Sequence, residues 1–143
     1  MLGADGWQLS NANVLPSAAI LASLEIFHKV DFNKLRSKSL LLTGYTEYLI
    51  KQIIEKSGVK AKIITPDNPE ERGCQLSLSM FEHGREVFEY LSEHGIVVDW
   101  RESNMAATQP AIIRLAPVPL YNSFTDVFEF SVKLEEALSK THG

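Results

Sequence analysis

Cysteine is almost missing from this chain. Cys74 stands alone, so no internal disulfide and no cysteine-based metal cluster can form, a usage that suits a reducing cytosol. It reads as a small core hydrophobe. No run of about eighteen apolar residues occurs, which excludes a helix that crosses a bilayer, and the N-terminus lacks the basic region and apolar core of a signal peptide. Positive charge is neither abundant nor clustered: fourteen Lys and Arg face eighteen Asp and Glu, a formal net charge of -4. That balance gives no electrostatic footprint for nucleic acid. The four histidines, His28, His83, His94 and His142, have no metal-ligand or catalytic spacing, so no metal site is assigned. No internal repeat and no low-complexity segment is visible.

What is present is the composition of one ordinary globular domain. With 143 residues, 45% of them hydrophobic and 22% charged, the chain can bury a real core, and residues 1–143 are read as a single domain. MLGADGWQLS has two glycines and no periodicity, so it reads as an entering loop or a strand remnant. From Pro16 and Ser17 the stretch SAAILASLEIF is apolar nearly all round, which predicts a helix buried within a domain or against a partner. Asp31 is placed to cap a second helix on which Leu35, Leu42, Leu49 and Ile53 recur, ending near Ser57 and Gly58. Glu47, Lys51 and Glu55 are spaced for pairing on its wet face, and Lys34, Lys38, Lys51, Lys56, Lys133 and Lys140 all read as solvated.

Beyond that helix the period changes. AKIIT is a short strand candidate, TPDNPEERG a charged loop, and CQLSLSM alternates as a half-buried strand. Arg72 reads as an exposed loop arginine. GREVFEYLSEHG predicts a helix, IVVDW a strand, and RESNMAATQP, residues 101–110, a loop or hairpin excursion. Ser123 and Asp126 match a capping-box start for a last helix with Val127, Phe130, Leu134 and Leu138 on one side. The order helix, helix, strand, strand, helix, strand, strand, helix favours an α+β fold: a small, mostly antiparallel sheet with helices packed on one face.

Between the last strand and helix lies IIRLAPVPLYNSF. A pleated chain sends Ile113 and Leu115 to one face and Arg114 to the other. Pro117 and Pro119 each remove a backbone donor, so the ladder should stop near Ala116 and leave Arg114 close to a strand end. Two readings fit that spacing: a surface arginine lying over apolar neighbours, or a guanidinium kept for a planar anion. Tyr121, Asn122 and Phe124 could wall a cleft there, although core or interface is the commoner use of such aromatics, and burial is the expectation for Trp7.

Five longer words in order, GWQLSN (Gly6 to Asn11), ASLEIF (Ala22 to Phe27), LLTGYTEYLI (Leu41 to Ile50), EERGCQLSLS (Glu70 to Ser79) and IRLAPVPLYNSF (Ile113 to Phe124), resemble the C-terminal part of kynureninases over nearly the whole chain. The resemblance implies the small C-terminal domain of the aspartate-aminotransferase-like, fold type I, class of pyridoxal-phosphate enzymes. In that class the large domain holds the cofactor's Schiff-base lysine and acidic partner, and it would lie upstream of residue 1. The same resemblance assigns Arg114 to the substrate α-carboxylate, Ser10 to the pocket for the substrate's aromatic part and Asn11 to the pyridoxal 5'-phosphate. Ala12 and Asn13 stand where some members carry prolines. From residue type alone, Ser10 and Asn11 fit a turn or helix cap equally.

As the resemblance implies, the complete enzyme is a cytoplasmic homodimeric hydrolase of tryptophan catabolism, in the kynurenine pathway that feeds NAD biosynthesis. It would convert L-kynurenine or 3-hydroxykynurenine to anthranilate or 3-hydroxyanthranilate and L-alanine. This chain would bind the substrate carboxylate, be inactive alone, and touch neither nucleic acid nor membrane. Its apolar first helix would need the large domain or the partner subunit to cover it. Two other classes compete: the small domain of a desulfurase or aminotransferase, and a non-enzymatic regulatory module that binds a small carboxylate. Activity on aromatic β-keto amino acids separates the first, and amino-acid binding without cofactor the second.

Overall fold

A computed structural model describes residues 3–7, 10–11, 13–102 and 110–141. The chain divides into two compact units, Met1–Leu35 and Arg36–Gly143. The first holds a 3-10 turn, Ala4–Trp7, where a loop or strand remnant was expected, and helix α1, Val14–Phe27. Trp7 is exposed, against the expectation of burial, and α1 presents Leu15, Ile20, Leu21 and Leu24 to solvent with no buried residue. Helix α2, Phe32–Ser57, starts where the sequence placed it: Asp31 Oδ1 accepts from the backbone N–H of Asn33 at 2.8 Å and of Lys34 at 3.2 Å. Those bonds satisfy donors that a helix start leaves without partners.

The second unit is the α+β fold read from the sequence. Strands β1 (Ala61–Ile63), β2 (Leu76–Met80), β3 (Asp99–Arg101) and β4 (Ala111–Leu115) form one antiparallel sheet in the order β1-β2-β4-β3. Helices α3 (Gly84–Glu93) and α4 (Phe124–Thr141) join α2 on one face. The core there is built from Ile50 and Ile53 of α2, Leu76, Leu78 and Met80 of β2, Val87 and Leu91 of α3, Ile113 and Leu115 of β4, and Phe130, Leu134 and Leu138 of α4. Full burial of each such side chain is worth roughly 1.5–3 kcal/mol. The capping box of α4 is reciprocal: Ser123 N–H donates to Asp126 Oδ2 at 2.8 Å and Asp126 N–H to Ser123 Oγ at 3.2 Å. Those hydrogen bonds, the backbone one first, hold the Asp126 carboxyl below its ordinary value.

IVVDW does not form a strand throughout. After α3, Gly95 takes φ +77° and Ile96 N–H returns to the Leu91 carbonyl at 2.9 Å, so the first apolar residues close the helix and β3 begins only at Asp99. An αL glycine with such a returning bond is a common way to satisfy the last carbonyls of a helix. Most of the excursion expected over residues 101–110 lies outside the described residues.

Two side-chain clamps bind the long loops to α2: the Glu47–Lys51 pair within the first was expected from its spacing, whereas Arg72, Glu47 and Lys38 are less solvated than expected. Arg72 is no exposed loop residue. Its side chain is 5% exposed, pairs with Glu47 at 12%, and also donates to the Pro66 carbonyl at 3.1 Å. Lys51 reaches Glu47 at 2.6 Å and Asp67 at 3.2 Å. Burial pushes the Glu47 carboxyl up, but the hydrogen bonds and charges of Arg72 and Lys51 outweigh it and leave the group below its ordinary value. The second clamp is Lys38, whose Nζ donates to the carbonyls of Pro119 and Asn122, each at 2.7 Å. It fixes the loop that follows β4.

Two outcomes check this packing. A Cβ on Gly84 would lie 2.9 Å from the Met80 Cβ and 3.2 Å from the Ala111 Cβ, atoms held close to strand backbone. Gly84→Ala is therefore expected to lower the unfolding free energy by about 1–3 kcal/mol in a denaturant melt. Arg72→Met leaves a nearly buried carboxylate short of its main partner, and a loss of about 3 kcal/mol is expected at pH 7. Because the folded Glu47 carboxyl is depressed, its contribution is present above the unfolded value and is lost as pH falls through the folded one. The variant should show less of that acid-side loss, and an unchanged stability-pH profile would remove the ion pair from the account.

Candidate functional site

The face of the sheet away from the helices is polar by register. Lys62 lies opposite Ser79, Ser79 opposite Ile112, and Ile112 opposite Arg101, while Ser77 and Asp99 flank Arg114 in the next row. Side chains on one pleat face that are paired across strands are close enough to interact. The cationic residues Lys62, Arg101 and Arg114 thus share this face with the Asp99 carboxylate, which makes it receptive to anions.

Arg114 is placed as its spacing required. Ile113 and Leu115 are buried beneath the sheet and the Arg114 side chain, 37% exposed, points the other way. Its guanidinium is held at two points: Nη2 donates to Gln75 Oε1 at 2.7 Å, and Nη1 lies 3.1 Å from Asp99 Oδ2. The same Asp99 oxygen is 3.0 Å from Arg101 Nη2, so one carboxylate is divided between two guanidinium groups. An arginine carries five N–H donors in a rigid fork. Among the described residues one donates to Gln75 and Asp99 lies in ion-pair contact, an arrangement that suits a further planar, bidentate acceptor.

Gln75 and Asp99 were not singled out in the sequence. Gln75 shares the parity of Ser77 in an alternating strand, a visible signal, but its meeting with Arg114 depends on the β2-β4 register, which sequence alone does not set. Ser10 and Asn11 lie in the first unit, both exposed, on bends between the 3-10 turn and α1. Arg114 belongs to the second unit.

A cleft of about 440 Å³ opens at the end of β4, walled by Val97, Val98, Leu115, Pro117, Tyr121 and Asn122 among others. It lies beside Leu115 and does not include Arg114. Asn122 shapes its rim, since its Oδ1 accepts from Val118 N–H at 2.9 Å and its own N–H donates to the Val118 carbonyl at 2.8 Å. Phe124 packs instead against Tyr45, ring centroids 5.8 Å apart. Among the described residues no group of three His, Cys, Asp or Glu side chains could share a metal ion, and no helix is long and apolar enough to cross a membrane.

Comparison with known proteins places this geometry. The solved structure of 8-amino-7-oxononanoate synthase from Francisella tularensis resembles 78% of this chain with a TM-score of 0.52, at 11% identity and over 29% of its own length, a likeness of fold alone. Kynureninases are much closer in sequence. That of Flavobacterium psychrophilum is 44% identical over 136 residues, 95% of this chain and 30% of the relative. That of Koribacter versatilis is 46% identical over 130 residues, covering 91% and 28%, and that of Mus musculus 45% over 133 residues, covering 90% and 27%. The chain spans less than a third of the length of these relatives. The family profile described as "Kynureninase C-terminal domain" matches residues 35–134, a range that takes in most of α2, the whole sheet, α3 and most of α4. On that match the chain belongs to the kynureninase C-terminal domain family.

Proposed function

We propose that this chain is the substrate-binding C-terminal part of a pyridoxal-phosphate-dependent hydrolase that cleaves L-kynurenine, or 3-hydroxykynurenine, to anthranilate, or 3-hydroxyanthranilate, and L-alanine. The observation that carries the proposal is the Arg114 guanidinium, 37% exposed on the polar sheet face and held by Gln75 and Asp99. A bidentate pair with the α-carboxylate sets direction as well as charge, so the rest of the amino acid is presented in one orientation.

The described lysines fit the substrate side of such an enzyme better than its cofactor side. Lys38 is tied to two carbonyls, Lys51, Lys56 and Lys133 are ion-paired, Lys62 and Lys140 lie over the rings of Phe81 and Tyr90, and Lys29, Lys34 and Lys60 are exposed. A Schiff-base lysine is therefore assigned to the part of the enzyme beyond this chain, where bound pyridoxal phosphate supplies an electron sink. Here Asn11 is assigned a supporting contact to that cofactor and Ser10 a place beside the substrate's aromatic ring. Both are exposed and therefore reachable. The reading includes a cytoplasmic homodimer in tryptophan catabolism, with the large domain or the partner subunit covering α1.

In the full-length enzyme, Arg114→Ala is expected to raise KM for L-kynurenine about a hundredfold, equivalent to ~2.7 kcal/mol, while the bound cofactor's absorbance stays in place. Unaltered KM would remove Arg114 from the site. On the 143-residue chain alone, treatment with pyridoxal phosphate and borohydride should label surface lysines weakly and without preference. A stoichiometric adduct at one buried lysine, located by mass spectrometry, would overturn the division of labour proposed here.

A further inference from the structure

We infer that Gln75 is the positioning residue of the carboxylate site: a neutral acceptor that aims Arg114 without neutralising it. The inference rests on the reading of Arg114 as carboxylate receptor. A free arginine side chain has much rotamer entropy to lose when it captures a ligand, and an acceptor that fixes it beforehand removes part of that cost. Gln75 is suited to this in three respects. It stands two residues before Ser77, the residue opposite Arg114, and so occupies the diagonal position on the same face. Its amide must present Oε1 to the guanidinium, because an arginine has no acceptor to offer. The Nε2 end then points to Ser77 Oγ, 3.4 Å away.

The backbone that carries Gln75 is anchored on both sides. Three residues earlier, Arg72 is buried against Glu47 of α2, and one residue later β2 begins at Leu76, which is fully buried. The amide therefore reaches Arg114 from a fixed base. Asp99, the other partner, divides its charge between Arg101 and Arg114, so it orients the guanidinium less selectively. A second full carboxylate at position 75 would sit where Oε1 now lies, 2.7 Å from Nη2, and would compete with an incoming carboxylate for the same positive charge.

The test uses the full-length enzyme with Gln75→Glu, Gln75→Met and, in parallel, Arg114→Ala. Two ligands are compared: L-kynurenine, and its counterpart that keeps the amine and aromatic ketone but lacks the carboxylate, measured as an inhibitor. Gln75→Glu is expected to raise KM for L-kynurenine tenfold or more with a smaller change in kcat, and Gln75→Met to raise it less. Neither should alter inhibition by the carboxylate-free ligand. Equal losses for both ligands, or an unchanged KM in Gln75→Glu, would make Gln75 a structural residue only. If Gln75→Glu does not fold, Gln75→Met decides by the same comparison. Should Arg114→Ala keep its discrimination between the two ligands, the receptor reading itself fails. Loss of discrimination in Arg114→Ala but in neither Gln75 variant would sink this inference alone.

Discussion

The alternation of Ile113, Arg114 and Leu115 along β4 ties the core of the second unit to its site. Burial of the two apolar residues against α2, α3 and α4 turns the guanidinium to the opposite face. With β2 and β3 on either side, the same register brings Ser77 and Asp99 level with Arg114 and Gln75 to its diagonal. A slip of one residue would send Arg114 into the helices and expose both apolar side chains, at a cost of several kcal/mol on transfer grounds alone. The energy that selects the fold therefore also selects the face of the sheet on which Arg114 lies.

Much of this was legible in sequence, where local chemistry decides the outcome. The order of the eight main elements, the Asp31 cap and the Ser123–Asp126 box were all read from residue type and spacing, because a cap acts within one turn of the chain. Failures came where partners are distant. IVVDW has strand composition, yet its first residues close α3 and line a cleft, and Val97 is 98% exposed. Lys38 and Glu47 sit on opposite sides of α2, at positions that look solvated until the loops from Pro119 to Asn122 and from Pro66 to Arg72 fold back on them. Trp7 is exposed where burial was expected, because hydrophobicity registers a preference for burial but does not name what does the burying. Helix α1, expected to be covered by its own domain or by a partner, has no buried residue in this chain.

Arg72 and Arg114 show how one residue type serves two ends. Arg72 closes a loop and Arg114 lies in a strand. Arg72 is enclosed, with its side chain and that of Glu47 both mostly removed from water. Breaking a pair in that state leaves an uncompensated charge and is costly, so the pair behaves as a fixed joint. Arg114 is more than a third exposed and shares its counter-charge with Arg101. An ion pair with that exposure is worth little by itself, on the order of 0–1 kcal/mol, which means that a ligand carboxylate has little internal competition to overcome. On the proposed reading, a carboxylate receptor must be oriented but not satisfied, and the combination of a divided aspartate with a neutral glutamine meets both conditions. An undivided carboxylate at position 75 would instead compete with a ligand for the guanidinium's charge. On that reading the polarity of residue 75 is as much a part of the proposed site as the arginine it holds.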